Sequence, residues 1–202
     1  MILAAGAAAA FLLLALGVVR GEADAFDRRV MEGFAALSNP ATDAFFLAIT
    51  WLGSSFILIP VVMLIGLALA TYRRSRDAVF LIALYSSATL GTWLLKSVFE
   101  RERPQLHAAL VQISPGDWSF PSSHTTQAAA FALGLWLLVT RLRPAWSVPA
   151  GLVLGALALL VAVSRLHLQV HWPSDLLGGW LAAFFWLGII TAAFGRLRSH
   201  AP

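Results

Sequence analysis

Six apolar stretches, each close to the length of a membrane-spanning helix, alternate with short charged segments along the chain. They occupy, roughly, residues 2–19, 45–71, 78–97, 122–140, 146–164 and 174–194. A bilayer core about 30 Å thick requires about 20 apolar residues in a helix, so each stretch is long enough to cross once. The second stretch contains Pro60 and is too short for two crossings, so we expect one tilted or kinked span. The pattern predicts an all-α, integral membrane bundle of six transmembrane helices.

The segment between the first two stretches has the periodicity of an amphipathic helix. It reads FDRRVMEGFAAL and covers residues 26–37. The apolar positions that share one helical face are Phe26, Val30, Phe34 and Leu37. The charged positions Asp27, Arg28 and Glu32 fall on the other faces. This pattern predicts an interfacial helix that lies on the membrane surface.

The composition agrees with a membrane protein and excludes several other classes. Of 202 residues, 59% are hydrophobic and only 12% are charged, and the mean hydropathy is +0.80. The net charge of +4 comes from short basic clusters between apolar stretches, which indicates membrane topology and not a nucleic-acid partner. There is no cysteine, so disulfides and cysteine zinc sites are excluded. No linker or repeat divides residues 1–202, and we expect a single membrane domain.

The basic clusters also predict the orientation of the chain. If the six stretches alternate, the arginine clusters at 72–76, 141–143 and 196–198 share one side, which the positive-inside rule makes cytoplasmic together with both termini. The first stretch has a composition compatible with a secretory signal. It lacks a basic start, however, and the following GEADAFD is a poor cleavage site, so we expect a retained span. The expected location is the bacterial inner membrane.

Three segments rich in ionisable residues meet at the opposite, periplasmic face of this topology. They are KSVFERERP at 96–104, PSSH at 121–124 and SRLHLQVHWPSD at 164–175. Lys96, Arg103 and Arg165 together provide a cationic cradle for a tetrahedral oxyanion such as phosphate. Ser122 and Ser123 begin a predicted helix after a proline, where free N–H groups and the helix dipole favour an anion.

The histidines of these segments fit phosphoryl transfer. Asp175 lies four residues after His171, which places its carboxylate within reach of the imidazole, and an oriented histidine is a plausible nucleophile. His124 comes from a different segment and is free to donate a proton to a leaving oxygen. Two neighbouring groups have plainer interpretations. Glu100 and Glu102 are expected to pair with the adjacent cations, and not to bind metal.

The three segments resemble the motifs of the type 2 phosphatidic acid phosphatase family, which shares its site pattern with vanadium haloperoxidases. The motifs of that family are K-x6-RP, P-S-G-H and S-R-x5-H-x3-D. The first is matched by Lys96, Arg103 and Pro104, and the third by Ser164, Arg165, His171 and Asp175. The second reads PSSH, with Ser123 in the place of the glycine.

The resemblance implies a metal-independent phosphatase, without a cofactor, that acts on lipid phosphates within the bilayer. It implies that His171 is the nucleophile that forms a phosphohistidine, that Asp175 supports it, and that His124 is the general acid. The residues that it implies bind phosphate are Lys96, Arg103, Arg165, Ser122 and Ser123. The first hypothesis for the substrate is undecaprenyl diphosphate, and phosphatidylglycerophosphate or phosphatidic acid is the alternative. A non-catalytic lipid-phosphate binder or transporter is the alternative from another class.

Overall fold

The computed structural model describes residues 1–112, 114 and 116–199, with side chains described through residue 195. Within this part of the chain all regular elements are helical. The α-helices are α1 (Ile2–Val19), α2 (Asp24–Ala35), α3 (Pro40–Thr50), α4 (Ser55–Thr71), α5 (Ser75–Phe99), α6 (Ser123–Leu142), α7 (Ser147–His167) and α8 (Pro173–Ser199). Short 3-10 turns, Trp51–Gly53 and Pro144–Trp146, precede α4 and α7.

The helices confirm the prediction of an all-α membrane bundle. Among the described residues, five segments are long and apolar enough to cross a bilayer: α1, α5, α6, α8, and α7 with the turn before it. The remaining predicted span, which is the second along the sequence, is a bent pair of helices, Pro40–Gly53 and Ser55–Thr71, whose axes differ by 43°. An integral membrane protein with up to six crossings follows from these segments.

The predicted second span differs from the structure in where it begins and where it bends. Its first helix starts at Pro40, five residues before the expected start at 45, because Asn39 caps the helix and Pro40 occupies its first turn. The bend lies at Ser54, whose backbone is extended with ψ 147°, and Pro60 lies inside α4. The chain therefore breaks where it leaves the 3-10 turn, and not at the proline.

The helices pack around α6, which contacts α5, α7 and α8, while α1 packs on α8. Leu81 and Leu84 of α5, Ala129 of α6 and Ala183 of α8 are fully buried in this core. Small residues allow close helix contact. A Cβ atom added at Gly188 in α8 would lie 2.6 Å from the backbone nitrogen of Ala4 in α1. Burial in the bundle thus depends on helix faces made of small residues.

The two ends of the helix bundle carry different sets of charged residues. At one end Arg141 pairs with Asp77 at 3.2 Å, and Arg76 donates to the carbonyl oxygen of Phe194. The predicted arginine clusters at 72–76 and 141–143 therefore meet near the C-terminal part of α8. The side chains of the third cluster, at 196–198, lie outside the described residues. The opposite end brings together the ionisable segments described below.

The amphipathic helix is present as α2, and it buries one face against the bundle while part of its apolar face stays exposed. Asp27 and Met31 are fully buried, whereas Phe26 and Leu37 are 58% and 59% exposed. Val30 and Phe34 are partly buried against α7 and α8. A carboxylate tolerates this burial only when partners compensate its charge, and the partners of Asp27 belong to the candidate site.

Candidate active site

The predicted site residues meet at one end of the bundle, where α5 and α7 end and α6 and α8 begin. Lys96 lies in the last turn of α5 and Arg165 in the last turn of α7. Ser122 caps α6, of which Ser123 and His124 are the first two residues. Asp175 lies in the first turn of α8. Arg103 and His171 occupy the two connecting loops and contact each other. The topology thus gathers segments that are far apart in sequence.

Hydrogen bonds on both sides define the tautomer of His171. Arg103 Nη1 lies 3.0 Å from His171 Nε2, and a guanidinium group only donates, so Nε2 carries the lone pair. The ring proton is then on Nδ1, which lies 3.2 Å from Asp175 Oδ2. The imidazole is almost completely buried, at 1% exposure. His171 is therefore held with a nucleophilic nitrogen directed toward a cation.

The carboxylate of Asp175 is itself held on every side. Its Oδ1 accepts from Arg101 Nη1 at 2.7 Å. Its Oδ2 accepts from the backbone N–H of Trp172 at 2.8 Å and from the hydroxyl of Ser119. These bonds fix the carboxylate so that His171 meets it in one geometry. Arg101 and Ser119 were not among the predicted site residues.

Arg101 joins Asp175 to the buried carboxylate of the amphipathic helix. Its Nη2 donates to Asp27 Oδ2 at 2.8 Å, and Ser174 donates its backbone N–H at 3.0 Å and its hydroxyl at 2.5 Å to the same side chain. The network runs from Asp27 through Arg101 to Asp175 and His171. The polarity pattern of α2 does not predict that Asp27 belongs to this network, because a charged residue in an amphipathic helix is expected to face water.

Two of the predicted cations share a carboxylate that the sequence analysis did not select. Lys96 Nζ lies 3.1 Å from Asp117 Oδ1, and Arg103 Nη2 lies 2.7 Å from Asp117 Oδ2. Arg103 also donates to the carbonyl oxygens of Asp117 and Val170, at 2.8 and 2.6 Å. Lys96 donates to the carbonyl oxygen of Trp118. Both cations are thus fixed by the loop that precedes α6.

The third predicted cation, Arg165, is buried and incompletely paired. It is 6% exposed, and its Nη1 donates to Thr50 Oγ1 of α3 at 2.6 Å. Its Nε has no hydrogen-bond partner among the described residues. A buried guanidinium with an unused donor has a strong requirement for an anion, and Arg165 lies close enough to affect the charge of His171.

The first turn of α6 adds backbone donors to the cationic residues. Ser122 Oγ accepts from the N–H and the hydroxyl of Thr125, at 3.4 and 3.1 Å. In the described structure the N–H groups of Ser123 and His124 have no backbone partner. Free N–H groups at a helix N-terminus bind anions. Close packing holds this turn, since a Cβ atom added at Gly53 would lie 3.2 Å from the carbonyl oxygen of His124.

The electrostatic environment keeps His171 neutral. Burial lowers its pKa well below the ordinary value, and the positive charges of Arg103, Lys96 and Arg165 lower the pKa further. At neutral pH the imidazole is therefore neutral, with its proton on Nδ1 and a lone pair on Nε2, which is the form that a nucleophile requires.

Glu100 and Glu102 do not pair with the neighbouring cations, so that interpretation of the sequence was wrong. Both are exposed and form no ion pair within the described part of the chain. The carboxylates that compensate Arg101 are Asp27 and Asp175. These partners are distant in sequence, and only the packing of α2 and α8 brings them to the loop after α5.

Comparisons with known proteins find a matching family and relatives over most of the chain. A family profile described as PAP2 superfamily matches residues 77–199. The chain is 32% identical to phosphatidylglycerophosphatase B of Bacillus subtilis (strain 168) over 173 residues, covering 84% of this chain and 83% of that protein. It is 29% identical to an undecaprenyl-diphosphatase of Sulfolobus acidocaldarius over 154 residues, covering 74% of this chain and 68% of that protein.

A solved structure is also similar over the whole chain. It is the crystal structure of a transmembrane PAP2-type phosphatidylglycerolphosphate phosphatase from Bacillus subtilis. The TM-score is 0.90 at 25% sequence identity, and the alignment covers 100% of both chains. The likeness therefore includes α1 to α4, which lie outside the residues that the family profile matches.

Replacing Asp27 by alanine is expected to destabilise the protein by about 3 kcal/mol, because the change removes one of the two buried carboxylates that compensate Arg101 and the acceptor of both Ser174 donors. The matched control is Asp24→Ala one turn earlier, since Asp24 is 55% exposed and lies 3.8 Å from the same guanidinium. The control should lose less than about 1 kcal/mol. Unfolding of both variants in one detergent measures the difference. Equal losses would show that the buried network does not stabilise this end of the bundle.

Proposed function

Because the chain belongs to the PAP2 superfamily and is a lipid phosphatase of the PAP2 type, we propose that it removes a terminal phosphate through a phosphohistidine formed on His171. The observation that carries this proposal is the orientation of His171, with the Nε2 lone pair next to Arg103 and Nδ1–H on Asp175. In the first step Nε2 attacks phosphorus, and the bond between phosphorus and the oxygen of the leaving group breaks. Asp175 stabilises the positive charge that develops on the imidazole.

His124 completes the proposed reaction. It donates a proton to the leaving oxygen, which is that of a lipid alcohol or, for a diphosphate, of a lipid monophosphate. A water molecule then attacks the phosphohistidine, His124 accepts a proton from this water, and the P–N bond breaks to release inorganic phosphate. Its position as the second residue of α6 supports this role, because the residue lies at the site on a different segment from the nucleophile.

The cations of the site supply the charge stabilisation that a metal ion gives in other phosphoryl-transfer enzymes. Lys96, Arg103 and Arg165 bind the phosphate oxygens in this proposal, and the unused Nε of Arg165 is one of the donors. Ser122 contributes as the cap of α6, and Ser123 contributes its N–H group, which has no backbone partner in the described structure. The reaction therefore requires no divalent metal.

An apolar groove beside the site suits the tails of a lipid. It is bordered by α4, α6 and α7 and is lined by residues that include Leu52, Leu157 and Val161. Leu52 adjoins Gly53, which packs against the backbone of His124. A lipid that lies in this groove has its phosphate near the first turn of α6 while its chains remain in the bilayer.

Undecaprenyl diphosphate is our first hypothesis for the substrate. A diphosphate carries more negative charge than a phosphate monoester, and the three cations Lys96, Arg103 and Arg165 favour it. The relative named an undecaprenyl-diphosphatase supports this choice. Phosphatidylglycerophosphate is the second candidate, because the relative and the solved structure that match more of the chain are named for that activity.

The substrate ranking predicts the relative kcat/KM values for purified protein in mixed micelles. Undecaprenyl diphosphate should be hydrolysed at least as efficiently as phosphatidylglycerophosphate and phosphatidic acid, with EDTA present throughout. Release of inorganic phosphate measures all three. A polyprenyl diphosphate value more than about tenfold lower, or about 1.4 kcal/mol in transition-state binding, would reverse the ranking. Loss of activity in EDTA, restored by one specific metal, would overturn the metal-free mechanism.

The proposed roles of the two histidines predict different defects. His171→Ala should remove turnover altogether, whereas His124→Ala should slow release of the leaving group yet still form phosphoenzyme with an activated aryl phosphate. Trapping of labelled phosphoenzyme separates the two variants. His107→Ala is the matched control, because His107 lies exposed in the loop after α5. A phosphorylated His124, or a His171→Ala variant with wild-type activity, would contradict the assignment.

We also propose that the site faces the periplasm and that both termini lie in the cytoplasm, since arginine clusters gather at the opposite end of the bundle. Single cysteines at Gln112, exposed in the loop before α6, and at Ser75, the exposed first residue of α5, should then be labelled from opposite sides. An impermeant maleimide added to intact cells should modify Gln112→Cys, and Ser75→Cys only after permeabilisation. Labelling of Ser75→Cys alone in intact cells would invert the orientation.

A further inference from the structure

The loop before α6 places a carboxylate where the proposed function places phosphate. Asp117 Oδ1 lies 3.1 Å from Lys96 Nζ, and its Oδ2 lies 2.7 Å from Arg103 Nη2. One side chain thus gives one oxygen to each of two cations, as a phosphate group does. These are two of the three cations to which the proposed function assigns the phosphate oxygens.

The burial of the three side chains shows which partner is the fixed one. The Lys96 and Arg103 side chains are each 9% exposed, whereas that of Asp117 is 47% exposed. The cations therefore form the floor of the site, and the carboxylate covers them from the side of the solvent. Buried cations without a counter-ion are costly, and Asp117 reduces this cost while the site holds no substrate.

The third cation shows that Asp117 satisfies the site only in part. Arg165 donates to Thr50, but its Nε remains without a partner among the described residues. One carboxylate neutralises one of three positive charges, so an incoming anion with two negative charges gains more than Asp117 does. The same anion and the Asp117 carboxylate repel each other at contact distance, and they cannot share Lys96 and Arg103.

We propose that Asp117 acts as an internal anion that occupies the phosphate position in the free enzyme and is displaced by the phosphate of the substrate. This inference rests on the proposed function. Small anions must compete with a tethered carboxylate and bind weakly, whereas a lipid substrate adds the binding of its chains. Asp117 thereby favours lipid phosphates over inorganic phosphate, the product that must leave.

Asn is a suitable replacement because it removes the charge while the loop keeps its other anchors. Arg103 Nε would still donate to the carbonyl oxygen of residue 117, and Lys96 to that of Trp118. The backbone N–H of Ser119 would still donate to the carbonyl oxygen of Arg101 at 2.7 Å. A change of pH cannot replace the substitution. Burial raises the pKa of Asp117, but Lys96 and Arg103 lower it to a net value below the ordinary one, so the carboxylate stays ionised throughout the working range.

The experiment compares inhibition by orthovanadate and by inorganic phosphate in wild type, Asp117→Asn and Glu102→Gln. Both inhibition constants should fall about tenfold in Asp117→Asn. Glu102→Gln makes the same charge change at an exposed residue of the same loop that forms no ion pair in the described structure, and it should change them less than about twofold. The rise in unfolding temperature caused by vanadate gives a second measure that needs no turnover.

The possible results separate this inference from the proposed function. Tighter inhibition and a larger vanadate-induced temperature shift in Asp117→Asn, without a change in the control, would support displacement. If the wild type hydrolyses lipid phosphate and Asp117→Asn shows unchanged or weaker inhibition, the inference is overturned and the proposed function stays intact. Absence of both hydrolysis and vanadate binding in wild type would overturn the proposed function. Asp117→Ser repeats the test if the asparagine variant does not fold.

Discussion

The rest of the site depends on the hydrogen bonds of the buried Asp175 carboxylate. It receives hydrogen bonds from His171, from Arg101 and from Ser119, and its own backbone carbonyl accepts from the N–H of Ser122 at 3.0 Å. One residue thus links both loops to the first turns of α6 and α8. Such a network is rigid when every member has a partner. The nitrogen of His171 that we propose as nucleophile owes its direction to this arrangement.

The site contains three buried cations, which a low-dielectric protein interior disfavours. The side chains of Lys96 and Arg103 are each 9% exposed and Arg165 is 6% exposed, and burial of like charges close together destabilises the folded protein. The surrounding structure offsets this with backbone carbonyl groups on Lys96 and Arg103 and with the carboxylate of Asp117. The remaining positive charge is available to an anion, which is the basis of the proposed phosphate recognition.

Segments outside the residues that the family profile matches also contact the site and hold its side chains. The matched residues are 77–199, yet Asp27 of α2 holds Arg101, and Thr50 of α3 holds Arg165. Asp43 of α3 also lies 2.8 Å from His167, which gives that histidine a structural role. The bend at Ser54 separates α3, which packs on α7, from α4, which packs on α5. The first part of the chain therefore positions groups of the proposed site that it does not itself contain.

The sequence by itself determined the spans, the end of the bundle at which the chemistry gathers, and the motif residues, because apolar length and local spacing are readable one segment at a time. His171 and Asp175, four residues apart, are such a local pair. Only the tertiary structure decided the buried role of Asp27, whose partner Arg101 is 74 residues away, and the bend at Ser54. A polarity pattern reports whether a residue prefers water, whereas the burial of a charge depends on a specific distant partner. That partner exists only after the helices have packed.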